Sequence, residues 1–526
     1  MKIKEKLRRY KGYVINLLTP ALVLGFITGV FTSVVVCFYK LCAKYVIHFS
    51  ETAYDYLRGH LYFLPLSLLC AFLLSVSLAY IYKRLPNVKG GGIPTSVAIL
   101  RGIITFKWLS NLIAIFVLSI TSFLFGIPLG NEGPSVQMGT AIGRGTAGAF
   151  IKKHRAWDKY SMTGGACAGF SVATGAPVSG ILFSVEEAHQ RVSPTIVIVA
   201  SSSVLFANIA SKLLCPIFGI SERLFDEFAL PTLSVSDYWL PLVIGMAVGL
   251  FSALFLYYYR LLDKLHDKVL AKVPYYVKLF VIIASTVVMG LVLFSTVSTG
   301  HELILSLFTG YGTIWLILVI LLVRTTLTLS ANVSGITGGM FIPVLAIGAL
   351  VASLLGKTFL LWGLDPSLYT TIVILGITAC IAGAMKMPLT AVVFSLEALS
   401  CHNNIISVII VAFVAYLITE LFEVKSVNDT VIELREDYEE TGKPHTLIDT
   451  YVTVQNGSFA VGRTVRDIIW PRNMFVLSLK HKESQVAENH SDREIEVGDV
   501  IHVRCKTINA ESTNQELFAI VGEPNN

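Results

Sequence analysis

Apolar and polar positions divide the chain into two textures. From about residue 14 to residue 422, long apolar runs dominate, near 14–39, 61–82, 108–127, 194–211, 238–259, 279–297, 313–330 and 404–422. Runs of this length predict membrane-spanning helices, some with length to spare for tilt. Between them lie shorter, glycine-rich apolar pieces that begin near Gly92, Glu132, Gly164, Ala176, Met340, Thr370 and Pro388. These pieces are too short or too interrupted for ordinary spans and predict helices broken at membrane depth. Free N–H and C=O groups are tolerated there only inside protein or beside a cavity, so several broken helices imply a site. Their positive N-terminal ends suit an anion near the midplane.

After about residue 440 the pattern changes. Glu436 to Glu440 is acidic, Gly442-Lys-Pro reads as a linker, and short alternating runs follow. Tyr451–Val454, Phe475–Leu479, Asp499–Arg504 and Leu517–Val521 read as strands, with turns at Asn456-Gly, Asn473 and Gly498-Asp. The expected organisation is therefore a membrane domain over 1–436, a linker over 437–449 and a small soluble β-rich domain over 450–526.

The membrane part contains an internal repeat. Residues Gly165 to Glu186 align without gaps onto Gly376 to Glu397, placing Pro177 on Pro388, Phe183 on Phe394, Ser184 on Ser395 and Glu186 on Glu397. Two halves follow, about 14–215 and 236–422. The alignment leaves their relative orientation open.

Composition sharpens this picture. Of 526 residues, 54% are hydrophobic and only 14% charged, against roughly a quarter charged in soluble proteins. The chain reads as a polytopic membrane protein. Its net charge of +6 is concentrated at Lys2, Lys4, Lys6, Arg8, Arg9 and Lys11, a cluster expected to hold the N-terminus in the cytoplasm. The run from Tyr13 to Tyr39 is too long for a signal-peptide core and shows no clear cleavage site. Eight cysteines without paired spacing indicate neither a disulfide framework nor a metal site. No HExxH spacing or nucleophile-base motif suggests an enzyme, and no nucleic-acid polymer is expected as a partner.

The candidate chemistry centres on residues 127–143. Glu132 is a lone carboxylate between Asn131 and Gly133, followed by Pro134, with no cation between Lys107 and Arg144. Proline suits the start of a helix, and neighbouring glycines let backbone N–H groups approach an anion. An acid within a membrane is a functional hypothesis by default.

Four stretches now stand in order: Gly90 to Pro94 (Gly-Gly-Gly-Ile-Pro), Gly130 to Pro134 (Gly-Asn-Glu-Gly-Pro), Gly338 to Pro343 (Gly-Gly-Met-Phe-Ile-Pro) and a last helix near Lys425. This set resembles the CLC family of anion channels and proton-coupled anion exchangers over residues 14 to about 436. The resemblance implies an all-α fold of two inverted repeats of tilted and broken helices. It also implies a homodimer with one pore per subunit and no cofactor for transport.

The anion would then be held by backbone amides around Gly91, Gly92 and Ile93, around Glu132 and Gly133, and around Phe341 and Ile342. Glu132 falls on the family's external gate and proton acceptor, and Glu187 on its internal proton-transfer glutamate. A helix end reaching the cytoplasm is the competing reading of Glu186 and Glu187. Three positions depart from the family pattern. Asn131 replaces a basic residue, Gly91 stands at an inner-gate serine position, and Asn428 stands at the inner-gate tyrosine position by ungapped count. The asparagine before the glutamate also resembles the fluoride-exporting branch, which generally lacks the inner glutamate.

The terminal domain resembles the C-terminal regulatory module of potassium-uptake regulators (TrkA-C or RCK-C), on the text Gly462 to Val476 and Glu496 to Val503. Such modules dimerise, and some bind cyclic di-AMP. By that resemblance Ile468, Ile469, Arg472, Asn473 and His490 would floor and contact a nucleotide, with Trp470 stacking on a base. A purely structural dimerisation cap is the alternative. Taken together, the sequence predicts a bacterial plasma-membrane exchanger of chloride for protons with a cytoplasmic C-terminal domain. A passive chloride channel and a fluoride/proton antiporter are the alternatives.

Overall fold

A computed structural model describes residues 17–150, 156–227, 230–268, 270–440, 445–480 and 493–523. In the first half, helices follow as α1 (Thr19–Gly59), α2 (Leu64–Arg84), α3 (Gly92–Leu100), α4 (Trp108–Leu124), α5 (Glu132–Phe150), α6 (Trp157–Thr174), α7 (Pro177–Phe183) and α8 (Pro194–Phe218). The second half gives α9 (Trp239–Lys268), α10 (Tyr275–Val292), α11 (His301–Phe308), α12 (Ile314–Val333), α13 (Phe341–Leu361), α14 (Tyr369–Ala384), α15 (Pro388–Ala398) and α16 (Ile405–Leu421). A last helix, α17 (Val427–Glu440), leads to the terminal domain.

Among the described residues, nine helical stretches are long and apolar enough to cross a membrane. Two of them, Phe341–Leu361 and Pro366–Ala384, are among the pieces expected to be too interrupted to span. Their glycines are packing notches rather than breaks. Gly348 on α13 lies so close to Gly376 and Cys380 on α14 that a Cβ there would meet Cys380 Cβ at 2.5 Å and the Gly376 carbonyl at 2.7 Å. In the first half, Gly139 on α5 and Gly165 on α6 each lie against the other's carbonyl, leaving no room for a Cβ on either. Small residues let membrane helices meet backbone to backbone, where dispersion contacts replace the missing hydrophobic drive.

The two halves meet head to tail. Glu186, just past the end of α7, accepts from Leu389 N (2.9 Å), Thr390 N (2.7 Å) and Thr390 Oγ1 (2.6 Å) at the start of α15. Glu397, at the end of α15, accepts from Val178 N (2.8 Å), Ser179 N (2.9 Å) and Ser179 Oγ (2.7 Å) at the start of α7. Each carboxylate satisfies orphan amides at the other helix's N-terminus. Reciprocal capping of this kind requires α7 and α15 to run antiparallel, so the repeat is inverted where its polar letters match.

The terminal domain is a three-stranded antiparallel sheet in the order β1-β3-β2, with β1 Thr446–Thr453, β2 Met474–Lys480 and β3 Val500–Thr507. Strand β1 starts inside the expected linker, and α17 continues to Glu440. Leu517–Val521, expected as a strand, belongs instead to helix α18 (Ala510–Val521). Asn509 caps that helix by accepting from Ser512 N (3.0 Å). Thr513, Leu517, Ile520 and Val521 are its buried face, a helical spacing hidden by an unbroken apolar run.

This domain does not dangle from α17. Its core, with Ile468, Ile469 and Phe459, is continuous with Leu24 of α1, Trp157 and Tyr160 of α6, and Ile196 and Val199 of α8.

Candidate functional site

Two loops build the centre of the membrane domain, and they share a backbone design. Residues 126–134 and 335–343 align without gaps, with Gly126 on Gly335, Ile127 on Ile336, Gly130 on Gly339 and Pro134 on Pro343. Gly126 and Gly335 both adopt left-handed backbone, φ 65° and 76°, which costs glycine nothing. Each closes its preceding helix in the same way: Gly126 N donates to Phe123 O and Gly335 N to Asn332 O, both at 2.9 Å. Gly130 and Gly339 then exchange N–H···O bonds of 2.7 Å in each direction as an isolated antiparallel bridge. Helices α5 and α13 start two residues beyond this bridge.

Helix α3 starts against the same bridge. A Cβ on Gly92 would collide with the Gly133 carbonyl, and one on Gly133 would reach Gly339 Cα at 2.7 Å. Three helix N-termini, with their unsatisfied N–H groups, therefore converge within contact distance. Gly91, Gly92, Ile93, Glu132, Gly133, Phe341 and Ile342 all stand at these three starts, and all are buried.

Glu132 is fully buried at the convergence, and neither carboxylate oxygen makes a well-formed hydrogen bond among the described residues. The side chain folds back over Gly130, where a Cβ would stand 2.6 Å from Oε2. The backbone N–H groups of Glu132 itself and of Ile342 lie close by, and His301 and Lys40 are the cations whose charge it feels. Both cations are fixed elsewhere. Lys40 Nζ donates to Val172 O and Ser221 O at 3.1 Å, and His301 Nε2 contacts Leu224 O at 2.7 Å. Among the described residues no cation pairs directly with the carboxylate, and the Oδ1 of Asn131 beside it is likewise buried and unpartnered.

Glu187 is the second buried acid. It lies in a single π-helical turn, Ser184–Ala188, that continues α7, and its Oε1 has no hydrogen-bond partner among the described residues. Asn428 of α17 and Arg101 at the end of α3 face it. Arg101 donates to Glu187 O (2.9 Å) and Ala188 O (3.3 Å) and pairs with Asp429 (3.1 Å). Asn428, placed by count at an inner gate, is buried beside Glu187, and its Nδ2 makes no well-formed hydrogen bond among the described residues.

One polar residue escaped the sequence reading. Asn332, near the end of α12, accepts from Tyr259 Oη at 3.0 Å, while its Nδ2 is buried and has no hydrogen-bond partner among the described residues. That nitrogen lies 3.4 Å from where a Cβ on Gly91 would be. An asparagine inside the apolar run Leu327–Val333 was the available signal.

The residues expected to contact a nucleotide are dispersed. Ile468 is fully buried and Ile469 nearly so, packed in the seam with Tyr160, and Ile469 also lines a cavity with Lys159 and Glu516. Trp470 Nε1 donates to Val465 O at 2.9 Å, and the Arg472 guanidinium pairs with Glu436. Asn473 lies at a left-handed turn, φ 54°, and lines an interdomain cleft with Arg472, Lys506 and Asn509. His490 is outside the described residues.

A helical membrane protein in which α7 and α15 cap each other antiparallel, and in which three helices begin around a buried acid, is the class this architecture defines. The chain belongs to the voltage gated chloride channel family, whose family model matches residues 70–420. It is 28% identical to the H(+)/Cl(-) exchange transporter ClcA of Klebsiella pneumoniae over 379 residues, covering 70% of this chain and 79% of that one. It is 26% identical to ClcA of Salmonella arizonae over 439 residues, covering 80% and 90%. Among solved structures it shares the fold of a slow cyanobacterial Cl-/H+ antiporter, with a TM-score of 0.70 at 24% identity, covering 79% of this chain and 98% of that one. It also shares the fold of a CLC-type fluoride/proton antiporter, with a TM-score of 0.62 at 20% identity, covering 77% and 96%.

Proposed function

We propose that this protein exchanges chloride for protons across a bacterial plasma membrane. The observation that carries the reading is the pair of buried acids, Glu132 at the convergence of three helix starts with neither carboxylate oxygen hydrogen-bonded among the described residues, and Glu187 beside α3 and α17 with its Oε1 likewise unpartnered. A small anion is well served by N–H donors carrying only partial charge, because a full buried cation would hold it too tightly to release. The Glu132 carboxylate competes with the anion for the amides of Gly133, Phe341 and Ile342. Protonated, it no longer resembles the anion, leaves those amides free and carries the proton outward. Glu187 passes the proton on the inner side. Asn332 and Asn428 act as neutral donors along the inner anion path. The relatives at 26–28% identity bear the name of exchange transporters, in keeping with this reading.

The wider proposal includes a homodimer embedded in lipid, with the N-terminus and C-terminal domain in the cytoplasm. The terminal module regulates transport, with a cyclic dinucleotide such as cyclic di-AMP as its candidate ligand. Fluoride is the second reading, favoured by Asn131, whose buried carbonyl oxygen replaces a cation beside the gate. Purified protein in sealed vesicles tests both. A chloride gradient is expected to drive protons uphill, and a fluoride gradient to do so poorly. Dissipation of the chloride gradient without proton movement would make the protein a passive channel.

A further inference from the structure

The turn that carries Glu187 is geometrically unusual. Ser184–Ala188 closes with His189 N donating to Ser184 O at 3.2 Å, a bond reaching five residues back. The next residue, Gln190, has φ 50°, a left-handed conformation that a glutamine adopts only at a cost. A single π turn inside a helical segment is less stable than α geometry and persists where its surroundings hold it. Reverting it to α would shift the register by one residue and swing a side chain by about 100° around the helix axis. The Glu187 carboxylate would then leave the space between Asn428 and Arg101.

The restraints come from two directions. From the membrane domain, Arg101 grips the carbonyls of Glu187 and Ala188, and Thr163 Oγ1 meets His189 Nε2 at 2.8 Å. From the other direction, three side chains hold one backbone turn of the C-terminal domain. Arg191 Nη2 donates to Ile468 O (2.9 Å), and Ser193 Oγ to Asp467 O (3.2 Å). Tyr160 Oη donates to Asp467 O (2.9 Å) and accepts from Ile469 N (3.0 Å). Ile468 and Ile469 bury their side chains in the same seam. The C-terminal domain therefore fastens the chain four and six residues beyond Glu187, at Arg191 and Ser193, immediately after the strained Gln190.

We propose that Tyr160, Arg191 and Ser193 are positioning residues. Through them the docked C-terminal domain holds the Ser184–Ala188 turn in its π register and thereby keeps Glu187 aimed along the inner proton path. The domain is in this way a coupling device as well as an appendage, since loosening the seam loosens the aim of the acid without touching the anion's amides. The inference rests on the exchange reading above.

The test uses the full-length protein in vesicles, with the proton-to-chloride ratio taken from reversal potentials and chloride turnover measured separately. Tyr160→Phe removes both hydrogen bonds to the turn, and Arg191→Met removes the tether. Each is expected to lower the ratio at least twofold while chloride turnover stays within about twofold of wild type. Arg191→Lys, which keeps a donor, is expected to recover at least half of the lost ratio. Deuterium uptake at 184–190 should rise several-fold in Tyr160→Phe. Lys159→Gln, which breaks the pair with Glu516 in the same interface (2.9 Å) but leaves the clamp, should change neither readout.

An unchanged ratio in Tyr160→Phe and Arg191→Met, with Glu187→Gln uncoupled, would overturn the clamp and leave the exchange reading standing. Full coupling in Glu187→Gln would remove the exchange role of that acid instead. Loss of all chloride flux in the seam variants, with Arg191→Lys no better than Arg191→Met, would show the seam to be structural only and also overturn the clamp.

Discussion

The loops at 126–134 and 335–343 have nearly the same backbone and very different side chains. Both turn through a left-handed glycine, both return an amide to the helix they leave, and both end at a proline one turn into the next helix. Yet the position that holds Glu132 in the first loop holds Phe341 in the second. The Phe341 ring is fully buried and meets Phe170 and Phe394 edge-on, with centroids 5.1 and 5.2 Å apart. The inner pair shows the same asymmetry: aligned through Glu186 and Glu397, Glu187 corresponds to Ala398. The repeat thus carries the scaffold twice and the buried acids Glu132 and Glu187 once. A proton path and an anion path differ chemically, and a molecule with two equal halves would have no reason to prefer one half for protons.

The largest effect that bears on this contrast is functional. Glu132→Gln is expected to abolish proton coupling while chloride still moves, because a neutral amide neither carries a proton nor competes as an anion. Phe341→Leu, at the matching position, should keep the wild-type ratio and cost only about 1–2 kcal/mol in stability. A ratio that falls in both variants, read from vesicle reversal potentials, would break the division of labour between the loops.

Next comes the shared scaffold. Gly339→Ala would push a Cβ to 2.6 Å from Gly133 N and 3.1 Å from Gly130 O, backbone atoms that cannot move without opening the bridge. A loss of about 3 kcal/mol is expected, seen as a lowered Tm and poor recovery of monodisperse protein. Gly148→Ala, on the same α5 helix with nothing within 4 Å of the added carbon, should change stability by less than about 1 kcal/mol. Equal tolerance at the two sites would mean that the bridge is not the joint that the geometry describes.

How much of this was legible beforehand depended on which letters duplication kept. The repeat at Pro177 and Pro388 shows in the sequence because the polar residues survive on both sides. The loop pair at Gly126 and Gly335 keeps only two glycines, an isoleucine and a proline, and its most telling position changed from acid to ring. The backbone correspondence was therefore invisible until the hydrogen bonds displayed it. Helix α18 is hidden in the sequence for a related reason. Leu517-Phe-Ala-Ile-Val is apolar on every side, so neither a period of two nor one of 3.6 stands out, and the Asn509 cap lies eight residues before that run. The docking of the terminal domain depends on Tyr160, Arg191 and the Asp467–Ile469 backbone, hundreds of residues apart in sequence. A backbone carbonyl leaves no letter in a sequence, and neither does a π turn.

The smallest expected effect concerns the reciprocal caps, where the halves are most alike. Glu186→Gln and Glu397→Gln each keep a side-chain carbonyl but lose the charge that two amides and a hydroxyl share. A helix cap of this kind contributes about 1 kcal/mol. Because the two sets of bonds match in length and partners, the two variants should lower Tm by the same few degrees. Their functional effects should nonetheless differ. Glu397 ends a regular helix, whereas Glu186 belongs to the π turn and precedes Glu187 directly, so releasing its carboxylate also frees one side of that turn. The proton-to-chloride ratio is expected to fall modestly in Glu186→Gln and to stay at the wild-type value in Glu397→Gln. Unequal Tm shifts would show that the caps are not equivalent. Equal changes in ratio would show that the two ends of the α7 and α15 pair serve proton transfer alike, which is the one outcome that would return both halves to the same role.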